Sequence, residues 1–344
     1  MSPLRPRTPF GRRAAVLLSA ALALGLTQPA AAYQTFGITV GTKVVRVKWS
    51  RLPVRYAVTD RGVPGVSSAQ FRDAAARAFA TWQGVPSASV SATFTGFTSA
   101  EPGDEDNQNT LGFASRPELS RVLGSTSYLI DDTTGEILEA DIFINAVFPW
   151  SVSASGEAGK FDLEAIILHE TGHLFGLGHS ALGETELVAG GGRRLIAAQS
   201  VMFPITFGTG IVTDRVPRPD DVAGLGEIYP ASGAATETGS ATGRVTKGGQ
   251  GVFGAHVVAF NPATGNLVGN FTTDTQGGVT ITGLAPGPYI IRVEPLDDAE
   301  LDSFFDVSAA PSVDINFRVT YSPSFVVVPR GGASKPFEVK VTAK

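Results

Sequence analysis

The segment His169–His179 reads HETGHLFGLGH and contains three of the four histidines in the chain. Residues four positions apart share one face of a helix, so His169 and His173 can present ring nitrogens to one cation. Glu170 lies about 100° further around the helix, which keeps its carboxylate out of the ligand set and close to a metal-bound water, where a general base is needed. Gly176 permits a sharp exit from the helix, so that His179 can reach the same cation from a loop.

The alternative interpretation is a helix that carries histidines without binding a metal. Glycine and a third histidine at these offsets favour the metal site, and three neutral nitrogens would leave zinc one open position for water. Met202 is the sole methionine besides Met1 and lies in the sequence Ser-Val-Met-Phe-Pro of residues 200–204. It predicts a methionine turn beneath the histidines, which is compatible with a methionine that fills a core gap.

Composition indicates a folded protein of about two domains, because the chain has 344 residues, of which 43% are hydrophobic and 17% charged. The absence of cysteine excludes disulfides, thiolate zinc sites and thiol nucleophiles, so any metal must use His, Asp or Glu. The net charge of -5 argues against a nucleic-acid partner.

Residues 1–32 are predicted to be a signal peptide. Arg12 and Arg13 end a basic region, an apolar run covers 14–26, and three alanines, 30–32, precede the expected cleavage site. A membrane anchor is the alternative, but the run is shorter than the roughly 20 residues that span a bilayer. The arginine pair also fits twin-arginine export, although the following alanines match it poorly and favour the general secretory route. We therefore expect a secreted, extracellular protein without a membrane span.

Residues 33–230 are predicted to form an α+β domain. Its expected elements are strand-like residues 44–58, a helix that begins at Ser67 with a capping box to Gln70, a strand over 88–97, strands 127–130 and 137–145 around an acidic turn, a helix over 163–175 capped by Asp162, and a helix after Pro219 that runs to Tyr229. Asp220 and Asp221 suit the positive end of that last helix.

The composition changes after Pro230. Residues 231–242 contain mainly Ala, Gly, Ser and Thr and are predicted to be a linker. Residues 243–344 alternate short strands with Gly- and Pro-bearing turns, which is typical of an all-β sandwich. Because the linker would separate two self-contained cores, deletion of the second module is expected to leave the chemistry of the first domain on small substrates largely unchanged.

With these motifs in place, the first domain resembles the metzincins and, within that clan, the matrixin family. Ser180, directly after the third histidine, is the matrixin choice, and the resemblance covers about Trp49 to Pro230. It extends to residues 139–142, 161–163 and 220–229. The resemblance implies a five-stranded mixed sheet with three helices, and a zinc metalloprotease with His169, His173 and His179 as ligands and Glu170 as base.

The sequence departs from the matrixin pattern at three points. Two concern the substrate-binding cleft, and the third concerns how the enzyme is kept inactive. Residues 184–199 form an insertion between His179 and Met202. Residues 205–207 read Ile-Thr-Phe where the family has a Pro-x-Tyr wall. A cysteine-switch propeptide is excluded because the chain has no cysteine.

The second module resembles carboxypeptidase-regulatory-like, transthyretin-type sandwich domains at residues 243–246, 274–278 and 283–289. The resemblance implies a spacer or a platform that binds substrate or a surface. His256 lies inside an apolar strand and is predicted to be a packed or surface residue without chemistry.

Acidic residues near the predicted hairpin are candidates for calcium, which matrixins commonly bind. They are Asp131, Asp132, Glu136 and Asp141, with the loop 104–106 as a second candidate. Acidic turns are more often simply solvated, and the spacing does not match an EF-hand.

The favoured hypothesis is a secreted zinc endopeptidase, a hydrolase that cleaves peptide bonds of a protein or peptide substrate with a zinc-activated water. Glu170 would act first as base and then as acid. The rival hypothesis is an adhesion or matrix-binding protein whose metzincin domain is a scaffold. The intact Glu170 argues against the rival, because a scaffold does not need an unliganded carboxylate beside zinc.

Overall fold

The computed structural model describes residues 35–40, 43–189, 191–305 and 309–344, together with the backbone of 13–16. The predicted signal peptide, residues 1–32, lies outside the described residues except for Arg13–Val16, which forms a short strand, β1. Among the described residues, no helix is long and apolar enough to cross a membrane.

The first module is built on a mixed sheet. Its strands and the small hairpin before them are β2 (Gly37–Val40), β3 (Lys43–Arg46), β4 (Val54–Thr59), β5 (Ala92–Thr98), β6 (Asn109–Ala114), β7 (Gly124–Asp131) and β8 (Ile137–Asn145). The order in the sheet is β7-β8-β6-β4-β5, and β1 pairs outside β7. Strands β8, β6, β4 and β5 are parallel and β7 is antiparallel. The expected five-stranded mixed sheet is confirmed.

The first module has three helices: α1 (Ser68–Gln83), α2 (Leu163–Leu174) and α3 (Pro219–Ile228). Helices α1 and α2 pack against strands of the sheet, and α3 contributes Leu225 and Ile228 to the same apolar core. Ser67 and Gln70 form the capping box that the sequence predicts at the start of α1. Trp82 of α1 is fully buried and donates its indole N–H to the carbonyl of Leu168 at 2.9 Å. This bond joins α1 to α2 at Leu168, the residue directly before His169.

The central strand β6 has no strong sequence signal and was not predicted. Its apolar run is short and is interrupted by Gly112, which usually weakens a strand. The structure gives the reason for that glycine, since a Cβ there would lie 2.2 Å from the hydroxyl oxygen of Thr59 on β4. Strands β6 and β4 therefore lie too close together for a side chain at position 112. The glycine that this contact requires also weakens the sequence signal of the strand.

Short strands complete the first module. β9 (Trp150–Ser151) pairs with β10 (Phe161–Asp162), and β11 (Gly183–Leu187) pairs with β12 (Arg193–Ala198). The insertion noted between His179 and Met202 is therefore largely a β-hairpin.

The C-terminal residues form two sheets that share one apolar cluster. Their elements are α4 (Ala234–Glu237), β13 (Gly239–Lys247), β14 (Gln250–Gly251), β15 (His256–Phe260), β16 (Leu267–Phe271), β17 (Gly278–Leu284), β18 (Gly287–Glu294), β19 (Thr320–Tyr321), β20 (Val326–Val328), β21 (Phe337–Val341) and two 3₁₀ turns, Leu301–Ser303 and Ala310–Ser312. The segment predicted as a linker contains α4, and its last four residues already belong to β13.

The two modules share a packed interface, which differs from the expectation of two self-contained cores. Ala223 of α3 belongs to the apolar cluster of the second module. A Cβ on Gly283 would lie 2.8 Å from the Cβ of Ala223, so the two backbones meet closely. Glu227 of α3 accepts hydrogen bonds from Arg46 of the first module and from the Thr282 hydroxyl of the second. Helix α3 therefore packs against both modules and joins them.

Candidate metal centre

Helix α2 begins and ends with local signals that place its histidines. Asp162 caps the helix by accepting the backbone N–H of Ala165 at 3.3 Å, and Arg215 holds the same carboxylate through contacts of 2.6 and 2.7 Å. Gly176 ends the helical path with a φ of +93°, and a Cβ there would lie 2.6 Å from the Val47 carbonyl oxygen. Both the left-handed conformation and the crowding require glycine.

The three predicted ligands converge. The Nε2 atom of His173 lies 3.1 Å from that of His169 and 3.2 Å from that of His179. Each ring also has its Nδ1 atom 2.7–2.8 Å from a backbone carbonyl oxygen, of Val201 for His169, Leu177 for His173 and Ser303 for His179. Carbonyls only accept, so each Nδ1 carries the proton and each Nε2 offers a lone pair to the common centre.

Burial keeps these rings uncharged. It lowers the pKa of His169 to about 3, with a further contribution from His179, and it lowers the pKa of His173 and of His179 as well. Three neutral nitrogens that face one another are a donor set that fits a divalent cation. Within the described part of the chain, this is the one group of three or more His, Asp or Glu side chains whose ligand atoms lie close enough to hold a metal.

Glu170 lies beside this cluster in a buried environment. Its Oε2 accepts the hydroxyl of Thr126 on β7 at 2.8 Å. A Cβ on Gly124 would lie 3.1 Å from Oε1, so the start of β7 leaves space for the carboxylate. Burial raises the pKa of Glu170 to about 8, and the hydrogen bond from Thr126 opposes that rise. Thr126 thus favours the ionised carboxylate that a base requires.

The predicted methionine turn lies below the histidines. Met202 is buried, and a Cβ on Gly172 would lie only 2.4 Å from its sulfur. Asp221 of α3 organises the turn, because its carboxylate accepts the backbone N–H groups of Val201 at 2.9 Å and Met202 at 3.2 Å. It also accepts the Ser200 hydroxyl and the N–H of Arg218. Since the Val201 carbonyl accepts from His169, Asp221 supports a ligand through the turn.

Asp220 and Asp221 do more than the sequence indicated, because both are buried rather than exposed at the helix end. Asp220 accepts the hydroxyl of Ser180 at 2.6 Å and the backbone N–H of Gly269 at 2.8 Å. Burial, assisted by the charge of Asp221, raises the pKa of Asp220 to about 7. The residue after the third histidine is thereby tied to α3 and to the second module.

The structure gives no support to the calcium sites considered above. Asp131 accepts the Thr133 hydroxyl at 2.6 Å and the N–H groups of Thr133 and Thr134, which are bonds within its own turn. Asp141 accepts the N–H groups of Gly103 and Thr110 at 2.6 and 2.7 Å. These carboxylates therefore stabilise loops through hydrogen bonds. Only their negative charge had suggested a calcium site.

His256 is packed, which is one of the two positions that the sequence left open, packed or at the surface. It is 2% exposed, stacks on Phe271 with ring centroids 5.3 Å apart, and has Nδ1 2.9 Å from Glu294.

Comparison with known families now decides the class of the first module. Residues 48–188 match the family model described as Matrixin. This segment is similar to the catalytic domain of matrixins. The protein is accordingly a metalloendopeptidase, a hydrolase of peptide bonds, and matrixins bind zinc. The match ends before Met202 and α3. No curated protein matches the chain.

Several residues that support this candidate site were not predicted from the sequence. Thr126 holds the carboxylate of Glu170, Tyr128 donates its hydroxyl to the carbonyl of His173, and Ser303 accepts from His179. The two β7 residues lie 44 and 45 positions from their partners, and Ser303 lies 124 positions from His179. Alternation along β7 places Thr126 and Tyr128 on one face, but the strand was predicted only over 127–130 and so left Thr126 out. Ser303 carried no signal.

Proposed function

We propose that this protein is an exported zinc endopeptidase in which His169, His173 and His179 bind one catalytic zinc and Glu170 transfers protons. The observation that carries the proposal is the arrangement of the three imidazoles. Each donates Nδ1–H to a carbonyl, and their Nε2 atoms lie 3.1 and 3.2 Å apart. Nitrogen lone pairs at such distances repel one another unless a cation lies between them.

Zinc is the metal that best fits three neutral imidazoles with one position left for a substrate or water. When bound, it supplies a Lewis acid that polarises a carbonyl and makes a water molecule more acidic. Met202 and the Asp221-supported turn hold the floor of this site, and Ser180 fixes the chain after the third ligand through Asp220.

The proton transfers fall to Glu170. Its Oε2 is held by Thr126, and Oε1 lies beside Gly124, where a side chain would obstruct it. Glu170 accepts a proton from the attacking water, whose oxygen adds to the peptide carbonyl carbon. When the C–N bond breaks, the same carboxylic acid returns the proton to the departing amine. Burial supports both proton transfers, because it raises the pKa of Glu170 to about 8, close to neutral pH. A group with a pKa near the working pH can both accept and release a proton.

The remaining parts of the proposal concern organisation and location. Residues 1–32 would direct export and be removed, residues 33–230 would form the protease domain, and 231–242 would connect it to a transthyretin-type module, 243–344. That module would bind substrate or a surface as well as pack against the protease domain.

An unbiased peptide library tests the proposal. The purified mature protein should cleave library peptides, and Glu170→Ala should lose nearly all turnover while it retains zinc, because Glu170 handles protons and is not a ligand. His169→Ala should lose zinc as well as activity. Near-normal cleavage by Glu170→Ala would contradict the mechanism, and a wild-type protein without cleavage that still adheres to matrix would favour the rival hypothesis.

A further inference from the structure

The loop that carries His179 leaves α2 at Gly176, so the third histidine is held by no helix. Its Nδ1–H donates to the carbonyl oxygen of Ser303 at 2.8 Å, and Ser303 belongs to the C-terminal module. His169 and His173, by contrast, use carbonyls of the catalytic module, Val201 and Leu177. A metal-binding histidine whose second nitrogen is held has a defined tautomer and ring orientation.

We propose that the C-terminal module completes the zinc centre, with Ser303 as a positioning residue whose carbonyl orients His179. This inference rests on the proposed function, since it takes His179 to be a zinc ligand. It goes further in assigning the second module a direct role at the metal. The module is then part of the catalytic unit, whatever else it binds.

The Ser303 carbonyl is held in place by aromatic packing. The 3₁₀ turn Leu301–Ser303 is followed by Phe305, whose ring lies 5.4 Å from that of Phe253 and 5.6 Å from that of Phe271 between centroids. Phe271 belongs to β16, so the turn is anchored on a sheet of the C-terminal module. Ala181, two residues after His179, packs in the same cluster. The turn and the histidine loop therefore share one apolar contact.

A second tie reaches the same loop from β16. The backbone N–H of Gly269 donates to Asp220 at 2.8 Å, and the other oxygen of that carboxylate accepts the Ser180 hydroxyl at 2.6 Å. A buried carboxylate that accepts one bond from each module resists their separation. The residue next to His179 is thus also positioned with the help of the second module.

A third tie lies on the hairpin that follows. Thr185 of β11 donates its N–H to the side chain of Asp298 at 2.7 Å and its hydroxyl to the Asp298 carbonyl at 2.6 Å. Arg193 of β12 donates to the Asp297 carbonyl at 2.8 Å. These bonds hold the chain just before the Ser303 turn.

If Ser303 orients His179, zinc binding and the folded turn must stabilise each other, because coupling between two sites is reciprocal. This predicts a difference between variants of the same module. Phe305→Ala loosens the turn, whereas Val326→Ala removes apolar volume on β20, which pairs with Tyr289 at the opposite end of β18 from Glu294. If Ser303 positions His179, only Phe305→Ala should weaken zinc binding. If the module is only a structural support, both substitutions should affect zinc binding equally.

The experiment uses the full-length, zinc-loaded protein and measures zinc release to an excess of chelator. Phe305→Ala should release zinc about 10- to 100-fold faster than wild type, if the usual loss of metal affinity on disturbing a partner of a metal-binding histidine lies in the release rate. Val326→Ala should release it at the wild-type rate, and Phe305→Leu should recover most of the loss. Equal release from Phe305→Ala and Val326→Ala would overturn the inference.

Hydrogen exchange on the unmodified protein gives a second test that needs no variant. The amides of Ser303, Phe304 and Phe305 donate within the turn, to Glu300 or Leu301. Their exchange should accelerate when zinc is removed, while that of β20 stays constant, and no change in the turn would overturn the inference. A wild-type protein that binds no zinc, or keeps it after His169→Ala, would instead contradict the proposed function.

Discussion

Thr126 is the residue that distinguishes Glu170 from an ordinary buried carboxylate. Its hydroxyl donates to Oε2 at 2.8 Å and opposes the rise in the pKa of Glu170 that burial causes. Thr126→Val keeps the shape and removes the donor, so kcat/KM should fall about 10-fold or more, in line with the value of a hydrogen bond to a charged group. Peptide turnover and zinc content measure this together. The control is Thr95→Val on β5, where an exposed threonine loses its hydrogen bond to the Tyr56 carbonyl. Loss of zinc with loss of turnover would show a structural role instead.

Gly172 is required by the sulfur of Met202 rather than by the helix. A Cβ there would lie 2.4 Å from the sulfur and 2.9 Å from Trp82. Gly172→Ala should lower the free energy of unfolding by about 1–3 kcal/mol through overpacking, although alanine favours helix by about 1 kcal/mol. Denaturant unfolding measures the change. Gly208→Ala, where a Cβ meets nothing within 4 Å, is the control. Equal stability of the two variants would show that Met202 and Trp82 can move to make room for the added methyl group.

Among the elements, the hairpin β7–β8 depends on the acidic turn that was considered for calcium. Bonds from the Thr133 hydroxyl and backbone lower the pKa of Asp131 to about 2, against about 4 in an unfolded chain. Its stabilising contribution is therefore complete above pH 4 and lost as the pH falls towards 2. Asp131→Ala should lower the midpoint of unfolding at pH 6 and much less at pH 2.5.

The exposed neighbour provides the control for that comparison. Asp132→Ala, measured at the same pH values, should change the midpoint of unfolding little. Added calcium should stabilise neither the wild type nor the two variants. A calcium-dependent rise in Tm that Asp131→Ala abolishes would show that the turn binds the cation after all.

At the scale of the whole molecule, the histidine count limits the metal content. Three histidines converge at one centre, His256 is paired with Glu294 in the other module, and no cysteine is present. We therefore expect one tightly bound zinc per mature chain. Elemental analysis after mild dialysis checks this number, and two zinc ions that survive dialysis would contradict it.

The shared interface also predicts what truncation does. Removal of residues 231–344 exposes Ala223 and leaves Asp220 without Gly269 and His179 without Ser303. The remaining fragment should have a Tm lower by about 5 °C or more and a weakened hold on zinc. Thermal unfolding and chelator titration of the fragment measure both. A fragment with unchanged Tm, zinc affinity and short-peptide hydrolysis would restore the modular interpretation.

Local signals made much of the fold predictable. The capping box of Ser67 and Gln70, the Asp162 cap and the alternation over β8 each act within a few residues, and all three elements occur where they were expected. Strand β6 was missed because Gly112 is explained only by Thr59 on a neighbouring strand. The contacts of Asp220 and Asp221 were missed for a similar reason, since their partners come from remote segments.

The sequence by itself determined the candidate ligands, because a four-residue helical spacing and a glycine turn are local geometry and need no knowledge of the rest of the chain. Only the tertiary structure decided what orients those ligands. Val201 and Ser303 act through backbone carbonyls, and every residue has a carbonyl, so no side-chain pattern can mark the ones that matter. The joining of the two modules across α3 was decided in the same way, by packing between segments far apart in the chain.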